Sequence, residues 1–377
     1  MAATMRGGNV ALAIIFLCFT CSNNVFLLRS SSASSPIDDF LRCLSGKIPA
    51  EQVFTQSSSG FMAELTSSVQ NPRFVTNATV RPACIVAASD ASHVQAAVRC
   101  GHRSGVRLRV RSGGHDYEGL SYRAVRAETF AVLDLAGLRA VRVRAGERYG
   151  VGGLRRHARG ALLRRRDGQP RPPTATTSPC FRAMAFISLG AADVPPEGML
   201  RRTNNLGTYV KSKSDYVRRP MGAAAWSALF ADHLASNNAG VLILEPHGGV
   251  VGAVIPDMAT PYPHRAGVLY NIQYGVFWWG DDEGESSAAA RRWLDALYAA
   301  MEAAVSGNPR EAFVNYRDLD IGENAVVGGV TEYESARRWG ERYFMGNFRR
   351  LAAVKGRVDP GDYFRNEQSI PPLLQPY

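Results

Sequence analysis

Residues 109–122, RVRSGGHDYEGLSY, combine side chains that can bind anions and move protons. Ser112, Gly113 and Gly114 follow an apolar segment, and backbone N–H groups of glycines can approach a pyrophosphate closely because no Cβ atom intervenes. Such a turn is common and by itself predicts only a turn. The unusual feature is His115, which places a ring nitrogen directly after the turn.

Metal chemistry is not predicted, because neither the seven histidines nor the acidic residues show the spacing of metal ligands. The formal net charge of +11 is also local: eleven arginines and two acidic residues lie between Arg139 and Arg171. This tract has no period, no lysines and a single aromatic residue, Tyr149, so we predict no nucleic-acid partner. A basic protein that binds cell-wall polyanions remains an alternative that depends on this tract alone.

Residues 84–111 predict the strand, helix and strand that position the turn. Candidate helix caps and ends are Ser89, Asp90, Ser92, Gly101 and Gly105. Val106, Leu108 and Val110 alternate with arginines, a pattern typical of a half-buried strand. We expect a parallel βαβ unit with a right-handed crossover, and a further strand over residues 130–135.

The second half predicts an antiparallel sheet with helices. Residues 239–256 suggest a hairpin of two strands around Pro-His-Gly-Gly. In the strand over residues 268–279, Asn271 and Gln273 lie on the face opposite to the apolar residues. A helix is predicted over residues 287–305, and a capping box at 331–334 is predicted to begin another that buries Trp339, Tyr343 and Phe344. The fold class is α+β.

RSGGHDYEGLSY resembles the flavin-attachment motif of the plant berberine bridge enzyme-like oxidases, in the vanillyl-alcohol oxidase superfamily with PCMH-type FAD binding. SKSDYV, TPYPHRAGVLYNIQY, NPREAFVNYRDLDIG and YFRNEQSIPP resemble further landmarks of that family in order, over residues 36–138 and 200–372. The resemblance implies a two-part FAD-binding domain, formed by the N-terminal βαβ unit and a C-terminal segment. It also implies a substrate domain with an antiparallel sheet and helices.

The same resemblance implies the site. His115 would bond covalently to FAD, and the backbone of Arg111, Ser112, Gly113 and Gly114 would hold the pyrophosphate, with Asn315 as a further cofactor contact. Tyr117, Gln273 and Tyr316 would face the substrate, and a tyrosine with a lowered pKa could take the substrate's proton. Structural roles remain open for Tyr117, as a packing residue, for Gln273, as a partner of a neighbouring strand, and for His264 and Arg265, as a structural pair.

The implied reaction is oxidation of an alcohol, either a carbohydrate or a phenolic allylic alcohol, by hydride transfer to the flavin. Dioxygen or another acceptor would then reoxidise the flavin. The chain departs from the family pattern after residue 141, where a second flavin-linking cysteine and most of a glycine-rich run are absent. A catalytically inactive remnant that binds flavin weakly or not at all is therefore the alternative, with a gene-model error as the simplest origin of the tract.

We accordingly divide the chain into a signal peptide (1–33), the N-terminal part of the FAD-binding domain (34–141), an aberrant Arg/Pro-rich segment (142–180), a remnant of the substrate domain (181–310) and the C-terminal part of the FAD-binding domain (311–377). Loss of the family's glycine-rich layer is expected to expose the apolar faces of residues 106–110 and 130–135. It should also lower stability and allow trypsin to cleave between Arg142 and Arg171.

The N-terminus predicts secretion, because Arg6 precedes an apolar run that is too short to span a bilayer and small residues follow it. A retained anchor is the alternative. In the extracellular space or cell wall Asn77 would be a usable glycosylation site. The family resemblance implies a disulfide between Cys43 and Cys100 and leaves Cys84 and Cys180 without an evident partner. We predict a monomer that has no membrane partner.

Overall fold

The computed structural model describes residues 34–138, 206–235 and 240–374, together with two short strands at 141–142 and 151–152. The predicted signal peptide, the arginine-rich tract beyond those strands, and Cys180 lie outside the described residues. Among the helices in the described ranges, none is long and apolar enough to cross a membrane.

The strands in chain order are β1 Val53–Thr55, β2 Cys84–Ala87, β3 Arg107–Arg111, β4 Phe130–Asp134, β5 Val141–Arg142, β6 Val151–Gly152, β7 Tyr209–Val217, β8 Gly240–Pro246, β9 Tyr270–Trp278, β10 Val326–Val327 and β11 Val330–Thr331. The α-helices are α1 Pro36–Leu44, α2 Phe61–Thr66, α3 Ala91–Ser104, α4 Ala223–Leu229, α5 Gly249–Ala253, α6 Glu285–Ala300, α7 Tyr333–Phe344 and α8 Asn347–Val358. Short 3₁₀ helices occupy Ala50–Gln52, Pro72–Phe74 and Leu319–Ile321, and a π-helix occupies Phe230–Leu234.

The first sheet has the strand order β1-β2-β4-β3. Strands β2, β4 and β3 run parallel, and β1 pairs antiparallel with β2. The predicted strand, helix and strand are therefore present and parallel, but β4 lies between the two strands that we expected to pair. Helix α3 begins where the Asp90 side chain accepts a hydrogen bond from the Ser92 N–H, and it ends at Gly105 with φ at 70°.

The orientation of side chains on β3 differs from the expected one. Val110 is 42% exposed, whereas Arg109 and Arg111 are buried. Arg111 donates to Asp134 and Arg109 donates to Glu367, so each guanidinium has a carboxylate partner inside the protein. A paired charge can be buried where an unpaired one cannot, and the apolar/basic alternation does not reveal which arginines have such partners.

The predicted exposure of residues 106–110 and 130–135 is wrong except at Val110. Val106 and Leu108 are 1% exposed, and Phe130 is fully buried. One side of the sheet packs against α1 and α3, and residues of α2 contribute to the cluster on the other side. Helices α1 and α2, which precede β2, and helix α3, which follows it, thus cover the sheet without the glycine-rich layer.

The second sheet has the order β7-β9-β8, with both pairs antiparallel. Its apolar face packs against α6, as the alternation along β9 predicted. The other face carries Asn271 and Gln273, both buried. Gln273 lies opposite Ser214 on β7, and Asn271 lies opposite Glu245 on β8, so polar groups of three strands share this face.

The predicted second strand of the hairpin over residues 239–256 is wrong, because the chain forms α5 there. Gly248 and Gly249 have positive φ and turn the chain away from β8, and the Gly252 N–H donates to the Gly248 carbonyl. Strand β8 pairs instead with β9, which follows much later in the chain.

The C-terminal helices also differ in their boundaries. Helix α6 ends at Ala300, before the predicted end at 305. Helix α7 buries Trp339 and Tyr343, as predicted, and Phe344 partly. The capping box is wrong: the N-cap of α7 is Glu332, which makes no side-chain cap hydrogen bond, and the Thr331 hydroxyl and N–H both donate to Asp362.

Candidate active site

The polar face of the β7-β9-β8 sheet is the floor of the candidate site. Ser212 of β7, Gln273 of β9 and Glu245 of β8 all lie on this face, since their strand positions alternate with the residues that face α6. Gln273 donates from Nε2 to the Ser212 Oγ over 3.1 Å. The three strands of this sheet thus present a hydroxyl, an amide and a carboxylate group on the same face.

Two tyrosines from distant segments contact this floor. The Tyr117 hydroxyl oxygen accepts a hydrogen bond from Gln273 Nε2 over 2.9 Å. The Tyr316 hydroxyl donates to Glu245 Oε2 over 3.0 Å. The two tyrosine rings lie edge to face with centroids 6.1 Å apart. The structure therefore brings together all three residues predicted to face the substrate, and Gln273 bonds both a neighbouring strand and the opposing tyrosine.

The pKa values of these tyrosines are not lowered, which contradicts the hypothesis of an easily ionised tyrosine. Burial raises the pKa of Tyr117, and the nearby Glu245 carboxylate raises it further. Burial also raises the pKa of Tyr316, and both the charge of Glu245 and the hydrogen bond to it act in the same direction. The expected positive neighbour is replaced by a negative one, so each phenol is held in its neutral form.

A buried ionic network anchors the loop that carries Tyr117. Lys211 on β7 donates to Glu118 over 2.6 Å and to Asp318 over 2.7 Å, and all three side chains are nearly inaccessible. Lys213, two residues further on the same strand, binds Asp318 and Asp320. These residues belong to the motifs YEGL, KSKSD and RDLD. The charged side chains at every second position of β7 were the signal that the sequence analysis did not use.

The turn after β3 has the shape that close approach to an anion requires. Gly114 is buried with φ at 72°, and a Cβ atom there would overlap the Ser68 hydroxyl. Ser112 and His115 on either side are exposed. The Arg111 side chain donates to Asp134 and to the backbone of α2, so any role of this residue toward a cofactor would have to come from its backbone.

Two asparagines differ in how they relate to the floor. Asn315 is exposed in the turn next to Tyr316. Asn271 is buried on the polar face beside Gln273, and its Oδ1 has no hydrogen-bond partner within the described part of the chain. A buried acceptor without a partner is costly and is suited to a donor that a ligand would bring. Sequence reasoning placed Asn271 on the correct face but assigned it no role.

His264 and Arg265 have separate structural partners. His264 is fully buried, contacts Glu311 from Nδ1 over 2.6 Å and the Tyr343 carbonyl from Nε2 over 3.0 Å, and stacks on Tyr216. Arg265 donates to the Thr260 hydroxyl. Within the described residues, no group of three or more histidine, cysteine or acidic side chains could hold a metal ion.

The structure joins Cys43 and Cys100 in a disulfide, the pair that the family resemblance implied. The bond connects α1 to α3, and Cys84 is a free, buried thiol. Burial raises the pKa of the Cys84 thiol to about 12. Asn77 is exposed in a turn.

The fold is shared with solved structures of other proteins. Wild-type Phl p 4, described as a glucose dehydrogenase, superimposes with a TM-score of 0.77 at 29% identity, covering 89% of this chain and 100% of that one. A variant of the same protein is described as a glucose oxidase. A berberine bridge enzyme-like protein of Arabidopsis thaliana superimposes with a TM-score of 0.74 at 25% identity over 89% of this chain and 100% of its own.

Sequence comparison agrees. The family described as "Berberine and berberine like" matches residues 312–371. Berberine bridge enzyme-like Cyn d 4 of Cynodon dactylon is 34% identical over 98% of this chain and 100% of its own length. The chain belongs to the berberine bridge enzyme-like family of FAD-linked oxidases. It is shorter than its relatives: that alignment extends over 528 positions, against 377 residues here.

Proposed function

We propose that the protein oxidises the hydroxyl group of a small alcohol with the help of bound FAD. The observation that carries this proposal is that Tyr117 and Tyr316, from two distant segments of the chain, meet at Gln273 of the polar floor. Such a set of neutral donors and acceptors can bind and orient a hydroxyl group, and it can receive a proton from it.

The turn after β3 fits one side of a flavin nucleotide. The buried Gly114 with positive φ brings the backbone close to whatever lies above the turn, and exposed His115 stands beside it. In the proposal, Ser112, Gly113 and Gly114 hold the pyrophosphate through backbone N–H groups, Asn315 is a further contact, and His115 forms the covalent link. The flavin, when bound, supplies the acceptor for the hydride and its two electrons.

A carbohydrate is the favoured substrate class. The site offers a carboxylate, an amide and two hydroxyl-bearing aromatic rings, which match a molecule with several hydroxyl groups on an apolar ring. The activity named for Phl p 4 agrees with this choice. A phenolic allylic alcohol is the second candidate, and a panel of sugars and phenolic alcohols distinguishes them by which one bleaches the flavin absorbance under exclusion of dioxygen. Dioxygen or another acceptor would complete the turnover.

An inactive remnant is the alternative function, and it is favoured by one observation. The relatives align over many more positions than this chain has residues, and the cysteine that would form the second flavin link is absent from its sequence. In this alternative the protein folds partly and holds little or no flavin, so that trypsin would cleave it between Arg142 and Arg171.

The deciding experiment is a visible absorption spectrum of the purified secreted protein, followed by acid precipitation. We expect a yellow protein whose flavin stays with the precipitate and appears in the peptide containing His115. His115→Ala should lose the covalent flavin, whereas His102→Ala, a surface control on α3, should keep it. A colourless protein would support the remnant, and flavin released freely by acid would contradict the covalent link.

The remaining assignments follow from the same proposal. Residues 34–141 and 311–377 would form the FAD-binding domain, and residues 181–310 would be the remnant of the substrate domain. The protein would be a secreted monomer of the extracellular space or cell wall, with glycan at Asn77. Mass spectrometry of the secreted protein before and after deglycosylation tests the N-terminus and the glycan together.

A further inference from the structure

We propose that a cavity beside the end of β7 binds a small organic acid, through both its carboxylate and its apolar chain. The cavity has a volume of about 780 Å³ and lies between the segment that follows β7, helix α4 and the segment that follows α6. None of the described residues that line it belongs to the floor of the candidate active site. The proposal therefore concerns a second site and does not depend on flavin or on the oxidation of an alcohol.

The walls of the cavity are mostly apolar. Ligand pockets commonly have volumes of about 300–1,000 Å³ and combine apolar side chains with a few polar groups. Alanine side chains leave room for a ligand, and methionine side chains adapt their shape to what they contact. Such walls suit a hydrocarbon chain better than a hydroxylated sugar. The apolar residues include Met221, Ala225, Ala303, Ala304, Val305 and Met345.

The charges around the cavity favour an anion. Arg219 is exposed there and makes no ion pair with any residue in the described part of the chain. Arg218 donates from Nε and Nη2 to the two carboxylate oxygens of Glu311, over 2.6 and 2.9 Å, and from Nη1 to the Ala266 carbonyl. Two arginines and one glutamate line the cavity among the described residues, which leaves one positive charge in excess.

Glu311 is already engaged with other partners. Its Oε2 contacts His264 Nδ1 over 2.6 Å, in addition to the two bonds from Arg218. Burial acts to raise the pKa of Glu311, but the hydrogen bonds from His264 and Arg218 outweigh it and lower the pKa. Both oxygens of this ionised carboxylate therefore have partners. Arg219 remains available for a charge-assisted hydrogen bond to a carboxylate that a ligand brings.

Ser306 adds a hydroxyl donor to the same cavity. Its side chain is 8% exposed, and its Oγ accepts a hydrogen bond from the Glu311 N–H over 3.0 Å. A hydroxyl group also has one proton to donate, and no acceptor for this proton is observed among the described residues. Ser306 and Arg219 thus supply donors for the oxygens of a bound carboxylate.

The backbone conformation of Met345 supports a binding role for the cavity. Met345 follows α7 directly and has φ at 48°. This left-handed conformation is unfavourable for a residue with a Cβ atom, so glycine would be preferred at this position. The chain instead carries a methionine whose side chain lines the cavity. Residues in such conformations cluster at sites that bind ligands.

Three compounds with the same number of carbon atoms test the proposal. Hexanoate is the probe, hexanamide lacks its charge, and gluconate keeps the carboxylate but carries hydroxyl groups along the chain. Binding is followed by NMR in protein labelled with ¹³C at the methionine methyl groups. The signals of Met221 and Met345 are assigned by their loss in Met221→Leu and Met345→Leu. We expect hexanoate to shift both signals saturably, and the other two compounds to bind at least about tenfold more weakly.

Matched variants locate the binding. Arg219→Gln should weaken hexanoate binding about tenfold, because the cation is lost. Arg357→Gln removes an exposed arginine of α8 that does not line the cavity, and it should bind hexanoate as the wild type does. Ala225→Trp should fill the cavity and abolish the shifts, whereas Ala224→Trp, at the neighbouring position of α4, should keep them. Both alanines are exposed, so both variants should fold.

Several outcomes would overturn the proposal. Equal binding of hexanoate and hexanamide would contradict the anion site, and gluconate bound as tightly as hexanoate would contradict the apolar part. Shifts that fail to saturate, or that persist in Ala225→Trp, would also overturn it. The proposed function fails separately, since no hydroxyl group is oxidised in this assay. A flavin-free protein that binds hexanoate contradicts the proposed function alone, and a flavin-loaded protein that does not bind hexanoate contradicts this inference alone.

Discussion

Gln273 donates a hydrogen bond to the Tyr117 hydroxyl over 2.9 Å, although 156 positions separate the two residues in the chain. Gln273 is also bonded to Ser212, so the amide uses both N–H groups. The bond links the loop after β3 directly to the floor of the second sheet, in addition to the ion pair of Glu118 with Lys211 on β7. It fixes the orientation of Tyr117 with respect to Tyr316.

The first prediction concerns this bond. A double-mutant cycle with Tyr117→Phe and Gln273→Ala should give a coupling energy of about 1 kcal/mol in the free energy of unfolding, the usual net value of a neutral hydrogen bond. The cycle is measured by urea denaturation. Additive effects of the two substitutions would show that the bond does not contribute to stability.

The second prediction compares two glycines with nearly equal backbone conformations. Gly46 has φ at 75° with open space around it, whereas a Cβ atom at Gly114 would overlap Ser68. Gly46→Ala should cost about 1 kcal/mol of unfolding free energy from the left-handed conformation alone. Gly114→Ala should cost more by about 1–3 kcal/mol because the turn must also move away from Ser68. Equal costs in urea denaturation would mean that the turn is not tightly packed.

The third prediction is a dependence of stability on pH. Burial acts to raise the pKa of Asp320, but the charges of Lys211 and Lys213 outweigh it and lower the pKa from 3.8 to about 2. A lowered folded-state pKa contributes stability above the unfolded-state value, and this contribution is lost as pH falls through about 4 to about 2.

Asp320→Asn should therefore reduce stability at neutral pH and flatten the decline between about pH 4 and about pH 2. The effect should be modest, because the Asp320 side chain is 52% exposed and solvent screens it. The measurement is the free energy of unfolding at several pH values. Asp232→Asn, an exposed carboxylate on the π-helix, serves as the comparison. An equal acid slope in wild type and Asp320→Asn would contradict the role of the lysines.

The fourth prediction concerns the link between α1 and α3. Replacing Cys43 and Cys100 together by alanine should lower the free energy of unfolding by about 2–5 kcal/mol, because the bond closes a loop between positions 57 apart. Peptide mapping without reductant should find the pair linked and Cys84 as a thiol. Under native conditions Cys84 should resist alkylation, since burial holds its pKa near 12. Mapping that links Cys84 to Cys100 would contradict the structure.

Local patterns in the sequence determined much of the scaffold. The strand, helix and strand over residues 84–111, the cap at Asp90 and the two faces of β9 depend on neighbours in the chain, and such short-range preferences are visible in the order of residues. The glycines of the turn and the histidine after it were visible for the same reason. The long motifs were sufficient to recognise the family.

Only the tertiary structure decided which polar groups meet. Three features each depend on a partner far away in the chain. They are the burial of Arg109 and Arg111, the hydrogen bond from Thr331 to Asp362, and the hydrogen bond from Tyr316 to Glu245. Glu245 raises the pKa of both tyrosines, so the lowered tyrosine pKa that the sequence analysis considered is not found. Hydrogen bonds and ion pairs need atoms within about 3 Å, and no periodicity of one segment specifies which distant segment will supply them.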